Sequence, residues 1–246
     1  MADWSVLNDL DNPSEVEAIS SRVEAWDRSF AIVHPPRDAL LYEPDGTLYA
    51  VCRRSGMSIT YNHRTRSLHL GDLIVVPAGL ALDLEPEVDL IGIRCQATPP
   101  PHFRERFIQV WGYEHFSAGL EPASGPPSGL REVLAPSDPR FRLAYSIHQV
   151  DRSSRPPLAL DGTLELLVLL GIRGTTRIWE QGAPADEVLE LPAGAVAVLG
   201  WPGIWQVAGD GTLGCLRLIS EPMFQARWIA SLTPRGPDTP FSPPAP

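Results

Sequence analysis

The sequence predicts an all-β protein made of two tandem β-rich modules, with short helices beside them. The first observation is a series of short apolar runs, rich in Val, Ile, Leu, Tyr and Thr, separated by Gly, Pro, Asn and Asp. Turns at intervals of about 8–12 residues are typical of a β-sandwich or barrel. The second observation is an internal repeat. The third is a hydrophobic content of 43% over 246 residues, which is sufficient for a substantial core.

The repeat consists of three motifs that occur twice in the same order. LHLGDLIVVPAG, which contains Gly71, matches ELPAGAVAVLGWPG, which contains Gly194, at an offset of 123 residues. Val88–Arg94 matches Gly211–Arg217 at the same offset, and the pattern P-x-F-x-x-R-[FW]-I follows both. We therefore divide the chain into an N-terminal helical segment (1–27), a first module (28–111), a linker (112–140), a second module (141–232) and a Pro-rich disordered tail (233–246).

The predicted strands follow the apolar runs. Leu73–Val76 is apolar at every position, as expected of a strand buried on both faces. The polar segment around His63 predicts a hairpin tip, for which Glu180–Glu187 is a longer counterpart. The predicted strands are 30–33, 48–52, 57–61, 73–76 and 90–95 in the first module, and 143–147, 164–170, 175–179, 188–191, 195–199 and 213–219 in the second.

Three short helices are predicted from caps and apolar spacing. Asn12 is suited to cap an N-terminal helix that begins at Pro13. Its apolar stripe consists of Val16, Ile19, Val23 and Trp26. A helix is also predicted at the end of each module, with Pro101 or Pro222 in its first turn. The apolar faces of these two helices are Phe103, Phe107 and Trp111 in the first and Phe224, Trp228 and Leu232 in the second.

Composition excludes several classes of function. A net charge of −10 is the wrong sign for a nucleic-acid-binding protein. We expect no membrane span and no signal peptide, because no long apolar run occurs and the N-terminus is acidic. All twenty basic residues are Arg, so Schiff-base chemistry is excluded. Three cysteines without CxxC spacing suggest neither a zinc site nor disulfides, which fits a reduced, cytoplasmic compartment.

Two segments resemble the cupin superfamily. Residues 71–79, GDLIVVPAG, look like the second cupin motif, in which a Gly-Asp turn leads a buried strand into a Pro-x-Gly turn. Residues 165–178, ELLVLLGIRGTTRI, look like the strand and hairpin of the first cupin motif. The chain as a whole resembles a bicupin, and this resemblance implies two jelly-roll barrels, each with an interior pocket. Fold alone does not define function.

The metal ligands that the resemblance implies are absent from this sequence. Most cupin enzymes bind Fe, Mn, Ni or Zn through a His-x-His pair, a Glu and a third His. The chain has no His-x-His, and in the second module only Glu165 matches the pattern. The His-x-His positions fall near Leu158 and Leu160, and the last position falls at Trp205 or Gln206. We therefore predict no metal site and no other cofactor.

The remaining candidates are polar or aromatic residues near the expected pockets. Glu165 is the candidate acid or base, and His148 is the candidate to position the substrate. A carboxylate inside a barrel must be paired, protonated or ligand-bound, and Arg173, Arg177 or Arg217 would pair with it if they face inward. The candidate ligand-binding residues are Trp201, Trp205, Gln206 and His34; core packing for the two tryptophans, and a backbone-bonded buried role for His34 and His148, are the structural alternatives.

Three functions remain open on these observations. The first is a metal-free bicupin that binds a small organic molecule, either as a binding protein or as a metal-independent enzyme. The second is a metal-dependent oxygenase or isomerase with unconventional ligands such as His34, His148 and Glu165. The third is a structural or interaction module whose barrels are packed solid. The resemblance also implies a homodimer that forms through edge strands.

Overall fold

In a computed structural model, the residues that the structure describes form β-strands apart from two helices. The structure describes residues 4–7, 12–33, 40–42, 44, 46–61, 63–84, 88–96, 108–111, 129–134, 141–152, 156–184 and 187–232. Neither described helix has the length and apolar character needed to cross a bilayer. The fold class predicted from the sequence is therefore confirmed as all-β.

The elements follow one another along the chain as short strands, with two long strands in the second module. Their bounds are β1 (Trp4–Leu7), α1 (Pro13–Trp26), β2 (Phe30–Val33), β3 (Leu40–Tyr42), β4 (Thr47–Cys52), β5 (Met57–Tyr61), β6 (Arg64–Leu68), β7 (Leu73–Val76), β8 (Ala81–Leu84), β9 (Leu90–Cys95), β10 (Gln109–Trp111), β11 (Gly129–Leu134), β12 (Leu143–Val150), β13 (Leu158–Gly162), β14 (Glu165–Glu180), β15 (Leu189–Pro192), β16 (Val196–Leu199), β17 (Gly203–Ile219) and α2 (Glu221–Leu232).

The same strand order occurs in both modules. The first module has a five-stranded sheet, β10-β7-β4-β9-β2, and a four-stranded sheet, β3-β8-β5-β6. In the second module, β1-β16-β14-β17-β12 reproduces the first order and continues to β11. The C-terminal half of β14 pairs with β15, and the N-terminal half of β17 pairs with β13. The resulting order, β13-β17-β14-β15, reproduces that of the four-stranded sheet. Each of these two long strands takes part in both strand orders, so the pair corresponds to four short strands in the first module.

The pairing register agrees with the repeat found in the sequence. Thr47 pairs with Cys95, and Leu166 pairs with Leu218, which lies 123 residues after Cys95. The turns at Gly71 and Gly194 also correspond, because the Gly71 N–H donates to the carbonyl oxygen of Cys52, at the end of β4, and the Gly194 N–H donates to that of Gly171, at the register shift of β14. Both glycines have a positive φ, +90° and +85°, a conformation that favours glycine.

The edge strand next to β16 comes from the N-terminus of the chain. In the first module, β10 pairs with β7, so that Trp111 lies opposite Leu73. In the second module, β1 takes the corresponding place, and Leu7 lies opposite Val196. The N-terminal segment, predicted to be helical only, therefore also contains a strand that belongs to the sheet of the second module.

The buried residues form three clusters. One cluster lies on the face shared by the two large sheets and includes Tyr49 and Val75 from the first module and Tyr145 and Val168 from the second. α1 contacts the same cluster through Ile19 and Val23. A second cluster lies within the second module, and a third lies within the first. Because side chains alternate between the two faces of a strand, each large sheet contributes to two clusters.

Several sequence predictions need correction. Trp111 was predicted to lie on a helix face but ends strand β10. The predicted linker contains strand β11, which pairs with β12. Residues 164–170 and 175–179 were predicted as two strands, yet they belong to the single strand β14, with a register shift between Gly171 and Arg173. The glycine and polar residues between the two predicted segments lie at this register shift. It is a β-bulge, and a single strand continues through it.

Other predictions are confirmed. Helix α1 begins at Pro13, and the Asn12 side chain accepts a hydrogen bond from the Ser14 N–H at 3.2 Å. Helix α2 contains Pro222 in its first turn, and Phe224 is buried. The hairpin tip at His63 joins β5 to β6. The predicted helix at 101–108 and the predicted tail at 233–246 lie, apart from Ile108, outside the described residues.

Candidate functional site

The interior face of the second module contains a row of polar side chains. On β12, Leu143, Tyr145 and Ile147 belong to the shared cluster, so Ser146 and His148 face the other way, into the module. The same alternation places Glu165 of β14 and Cys215 and Arg217 of β17 on this interior face, beside Leu167 and Leu213. We call Ser146, His148, Glu165, Cys215 and Arg217 the polar row.

Glu165 and Arg217 form an ion pair at one end of the polar row. An Nη1 atom of Arg217 lies 3.7 Å from Oε2 of Glu165. The Glu165 side chain is 9% exposed and that of Arg217 is 27% exposed, so the pair reaches solvent through the arginine. Of the three arginines considered from the sequence, Arg217 is therefore the partner, whereas Arg177 pairs with Glu190 at the surface and Arg173 is exposed.

His148 lies deeper in the row and is 4% exposed. Its Nε2 atom is 2.9 Å from Oγ of Ser146, while no described group lies within hydrogen-bonding distance of its Nδ1 atom. Burial, together with the positive charge of Arg217, lowers the pKa of His148 to about 4. The imidazole is therefore neutral at physiological pH, and one ring nitrogen is left to meet another group.

The three cysteine thiols are buried, and those of Cys52 and Cys215 are protonated. Burial raises the pKa of Cys215 to about 11, although Arg217 and Ser146 act in the opposite direction. Burial also raises the pKa of Cys52 to about 12. A thiol with so high a pKa is a poor nucleophile, since the thiolate is the reactive form. Cys215 therefore contributes a weak hydrogen-bonding group to the polar row.

Three buried polar atoms that lack a hydrogen-bond partner belong to residues on the interior face of the second module. They are Nδ1 of His148, Oγ1 of Thr176 and Nε1 of Trp205. Thr176 lies on β14 with the same orientation as Ile178, and Trp205 belongs to the interior cluster and contacts Trp4 edge-on at 6.2 Å. Among the described side chains, the other two such atoms belong to Asp89 and Gln109, in the first module. Buried polar groups are nearly always bonded, so these three atoms are the groups of this interior that remain available to a water molecule or a ligand.

The other candidate residues lie elsewhere. Gln206 follows Trp205 on β17 and is on the outer face, where it pairs with Trp179. Trp201 is 51% exposed, in the turn before β17. His34 lies outside the described residues. The structure thus brings Glu165, His148 and Trp205 to one interior, and it places Gln206 and Trp201 away from it.

The described side chains do not fit a metal ion of the kind that the cupin resemblance implies. No group of three or more His, Cys, Asp or Glu residues among them is close enough together to hold one. Leu160, at one of the implied His positions, is a buried member of the apolar cluster, and so is Trp205 at the last position. Transition-metal sites in proteins use several N, O or S donors, which the described side chains of this interior do not bring together.

Solved structures with similar folds were found, but no protein-family model and no curated protein matches the sequence. The YlbA protein of E. coli superposes with a TM-score of 0.55 and 10% identity, over 88% of this chain and 82% of that one. A cupin 2 conserved barrel domain protein from Leptotrichia buccalis gives 0.53 and 13%, over 89% of each chain. A variant of the salicylate 1,2-dioxygenase from Pseudoaminobacter salicylatoxidans gives 0.55 and 12%, over 94% and 86%.

These comparisons define the class to which the fold belongs. The protein has the cupin fold, as the resemblance of residues 71–79 and 165–178 predicted. At identities of 10–13%, the structural similarity establishes the fold alone and does not define the activity. Sequence reasoning missed Ser146 and Thr176 as members of the interior. The alternation Leu143, Tyr145, Ile147 against Ser146 and His148 was the signal that could have identified the first of them.

Proposed function

We propose that the protein is a bicupin whose second module binds a small organic molecule in its interior. The repeated strand order and the separate apolar cluster within each module support two barrels, with the shared cluster as their interface. The first module has Arg94 where the second has Arg217, but Gly46 stands at the place of Glu165. The ion pair of the polar row is therefore particular to the second module.

The observation that supports binding most directly is the set of unpartnered atoms on His148, Thr176 and Trp205. Leaving a buried polar group unpaired costs about 1–3 kcal/mol each. A ligand that forms hydrogen bonds with these groups would remove that cost. The interior is therefore better suited to a ligand with polar groups than to filling by apolar side chains alone. Glu165 and Arg217, at the partly exposed end, would contact the molecule as it enters.

Mass spectrometry of the full-length protein tests this proposal. Native spectra of protein purified without additives should show a noncovalent adduct that is lost on denaturation. The adduct should disappear in the Thr176→Val variant, which removes only the hydroxyl, and remain in Thr175→Val, an exposed neighbour on the same strand. Spectra without any adduct, together with an unfolding temperature that no member of a metabolite panel raises, would contradict binding and favour barrels packed solid.

The metal-dependent alternative is tested by element analysis of the same sample. His148 and Glu165 are the described residues that it would require, and the donor set around them is too small. Stoichiometric Fe, Mn, Ni or Zn that is lost in Glu165→Ala would overturn the metal-free proposal. Metal content that is substoichiometric, and equal in the wild type and this variant, would support it.

A further inference from the structure

A cleft of about 570 Å³ lies between helix α1 and strand β2, beside the first module. Ser21, Glu24 and Ala25 line it from the helix, and Phe30 and Ala31 line it from the strand. Its volume is within the range of about 300–1,000 Å³ that is typical of sites for small organic ligands. The described residues that line it all lie outside the second module, so the cleft is separate from the interior discussed above.

Two oppositely charged side chains line the cleft. Glu24 comes from the last turn of α1, and Arg28 follows Asp27, the residue that ends the helix. Both side chains are exposed, and neither forms an ion pair with a described residue. The nearby cation Arg142, by contrast, is occupied by Asp27 at 2.8 Å and by Glu221 at 2.9 Å. The cleft therefore offers one carboxylate and one guanidinium whose charges a ligand can pair.

Neutral hydrogen-bonding groups accompany the two charges. The hydroxyl of Ser21 and the side-chain amide of Gln96 can each donate and accept. The Gln96 N–H donates to the carbonyl oxygen of Ser29 at 2.8 Å, and hydrogen-bonded residue pairs alternate along an antiparallel ladder. The carbonyl group of Phe30, the next residue, therefore points away from β9, towards the side of β2 on which no described strand lies. It provides a further acceptor at the cleft.

We propose that this cleft binds a small zwitterion of the α-amino acid type. The guanidinium of Arg28 pairs with the carboxylate of the ligand, a contact that is frequently bidentate. The carboxylate of Glu24 pairs with the ammonium group. Ala25 and Ala31 provide small apolar surfaces for the side chain of the ligand. This second site goes beyond the proposed function, which concerns the interior of the second module, and neither site depends on the other.

A ligand with a single charge is a poorer match for a physical reason. An anion gains an ion pair with Arg28 but is repelled by Glu24, and a cation gains one with Glu24 but is repelled by Arg28. A zwitterion pairs with both side chains and adds no net charge to a chain that carries −10. Because both side chains are exposed to solvent, each ion pair is expected to raise the affinity by a modest factor.

Three probes with the same side chain and different charges test this site on the full-length protein. At neutral pH, L-leucine is a zwitterion, N-acetyl-L-leucine is an anion and L-leucinamide is predominantly a cation. Their dissociation constants are measured by ligand-observed NMR titration in the wild type and in four variants. Glu24→Gln and Arg28→Gln each remove one charge from the cleft. Glu17→Gln, at an exposed position of the same helix, and Arg173→Gln, at an exposed arginine of the second module, are the matched controls.

L-leucine should bind about fivefold more tightly than either derivative, which corresponds to about 1 kcal/mol. Glu24→Gln should abolish its advantage over N-acetyl-L-leucine, because the ammonium group loses its partner, and Arg28→Gln should abolish its advantage over L-leucinamide. Both controls should keep the wild-type preferences. Absence of saturable binding by all three probes, or a preference that survives the loss of its charge, overturns the inference. The adduct measured with Thr176→Val is independent of these charges, so either result leaves the proposed function standing.

Discussion

The hydroxyl of Tyr145 donates a hydrogen bond to the backbone carbonyl oxygen of Gly71 at 2.8 Å, and both groups are buried. This bond joins the central sheet of the second module to the glycine turn of the first. A corresponding contact runs in the opposite direction, because Nε of Arg53 donates to the carbonyl oxygen of Gly194 at 3.0 Å. Gly71 and Gly194 are equivalent in the repeat, so each module donates a side-chain hydrogen bond to the same turn of the other.

Replacement of Tyr145 by Phe tests how much the hydrogen bond to Gly71 contributes to stability. We expect Tyr145→Phe to lower the free energy of unfolding by about 1–3 kcal/mol, because the buried carbonyl of Gly71 loses its donor while the ring remains. Urea unfolding monitored by circular dichroism measures the change. Tyr42→Phe, at an exposed tyrosine, is the control. Equal stability of the two variants would show that the bond does not hold the modules together.

Thr176→Val should stabilise the ligand-free protein. The hydroxyl is buried and has no described partner, so an isosteric methyl group removes a desolvation penalty of about 1 kcal/mol or more. The midpoint of urea unfolding should rise for Thr176→Val and stay within error for the exposed Thr175→Val. A lower midpoint would mean that the hydroxyl has a structural partner, and it would weaken the case for the interior as a binding site.

Stability should fall between about pH 6.5 and pH 4 because of His148. The pKa of His148 is about 4 in the folded protein and near 6.5 in the unfolded chain, so the unfolded state binds the extra proton in this interval. The contribution is fully present above pH 6.5 and is lost as the pH falls to 4, by an amount of about 3 kcal/mol. His148→Leu should flatten this dependence relative to the wild type.

The control for this effect is His63→Asn, at the exposed hairpin tip, where φ is +59°. Asparagine tolerates that conformation, so the backbone is not strained by the change. The free energy of unfolding, measured at several pH values, should keep its wild-type slope in His63→Asn. A slope that persists unchanged in His148→Leu would show that other groups cause it.

Arg142 should be essential for stability. Its guanidinium is 2% exposed, lies 4.7 Å from the centre of the Phe30 ring and pairs with Asp27 and Glu221, so it links α1, the first module and α2. Arg142→Met should lower the free energy of unfolding by about 1–3 kcal/mol, because Asp27 loses its charged partner and keeps only the hydrogen bonds from Ser29 and the Glu221 N–H. Arg173→Met, at an exposed arginine, should change it by less than about 1 kcal/mol. Similar values for the two variants would contradict a structural role for the pair network.

Local patterns allowed much of this fold to be predicted. Leu73–Val76 is apolar throughout and forms a strand buried on both faces, and Asn12 followed by Pro13 starts a helix where expected. These features depend on a few adjacent residues, so their cause is present in the sequence. The repeat was also visible, because strand residues and glycine turns kept their spacing in both modules. The inward orientation of Glu165 was implied by the resemblance of residues 165–178 to the first cupin motif.

The amino-acid sequence by itself determined that the chain is all-β and that it repeats. Only the tertiary structure decided that Glu165 pairs with Arg217, that β1 completes the sheet of the second module, and that His148, Thr176 and Trp205 present unpartnered atoms to one interior. The reason is that pairing between distant strands, and the solvent exposure that results, depend on contacts between residues far apart along the chain. Spacing along the chain specifies which face a side chain takes, but it does not specify which side chains meet there.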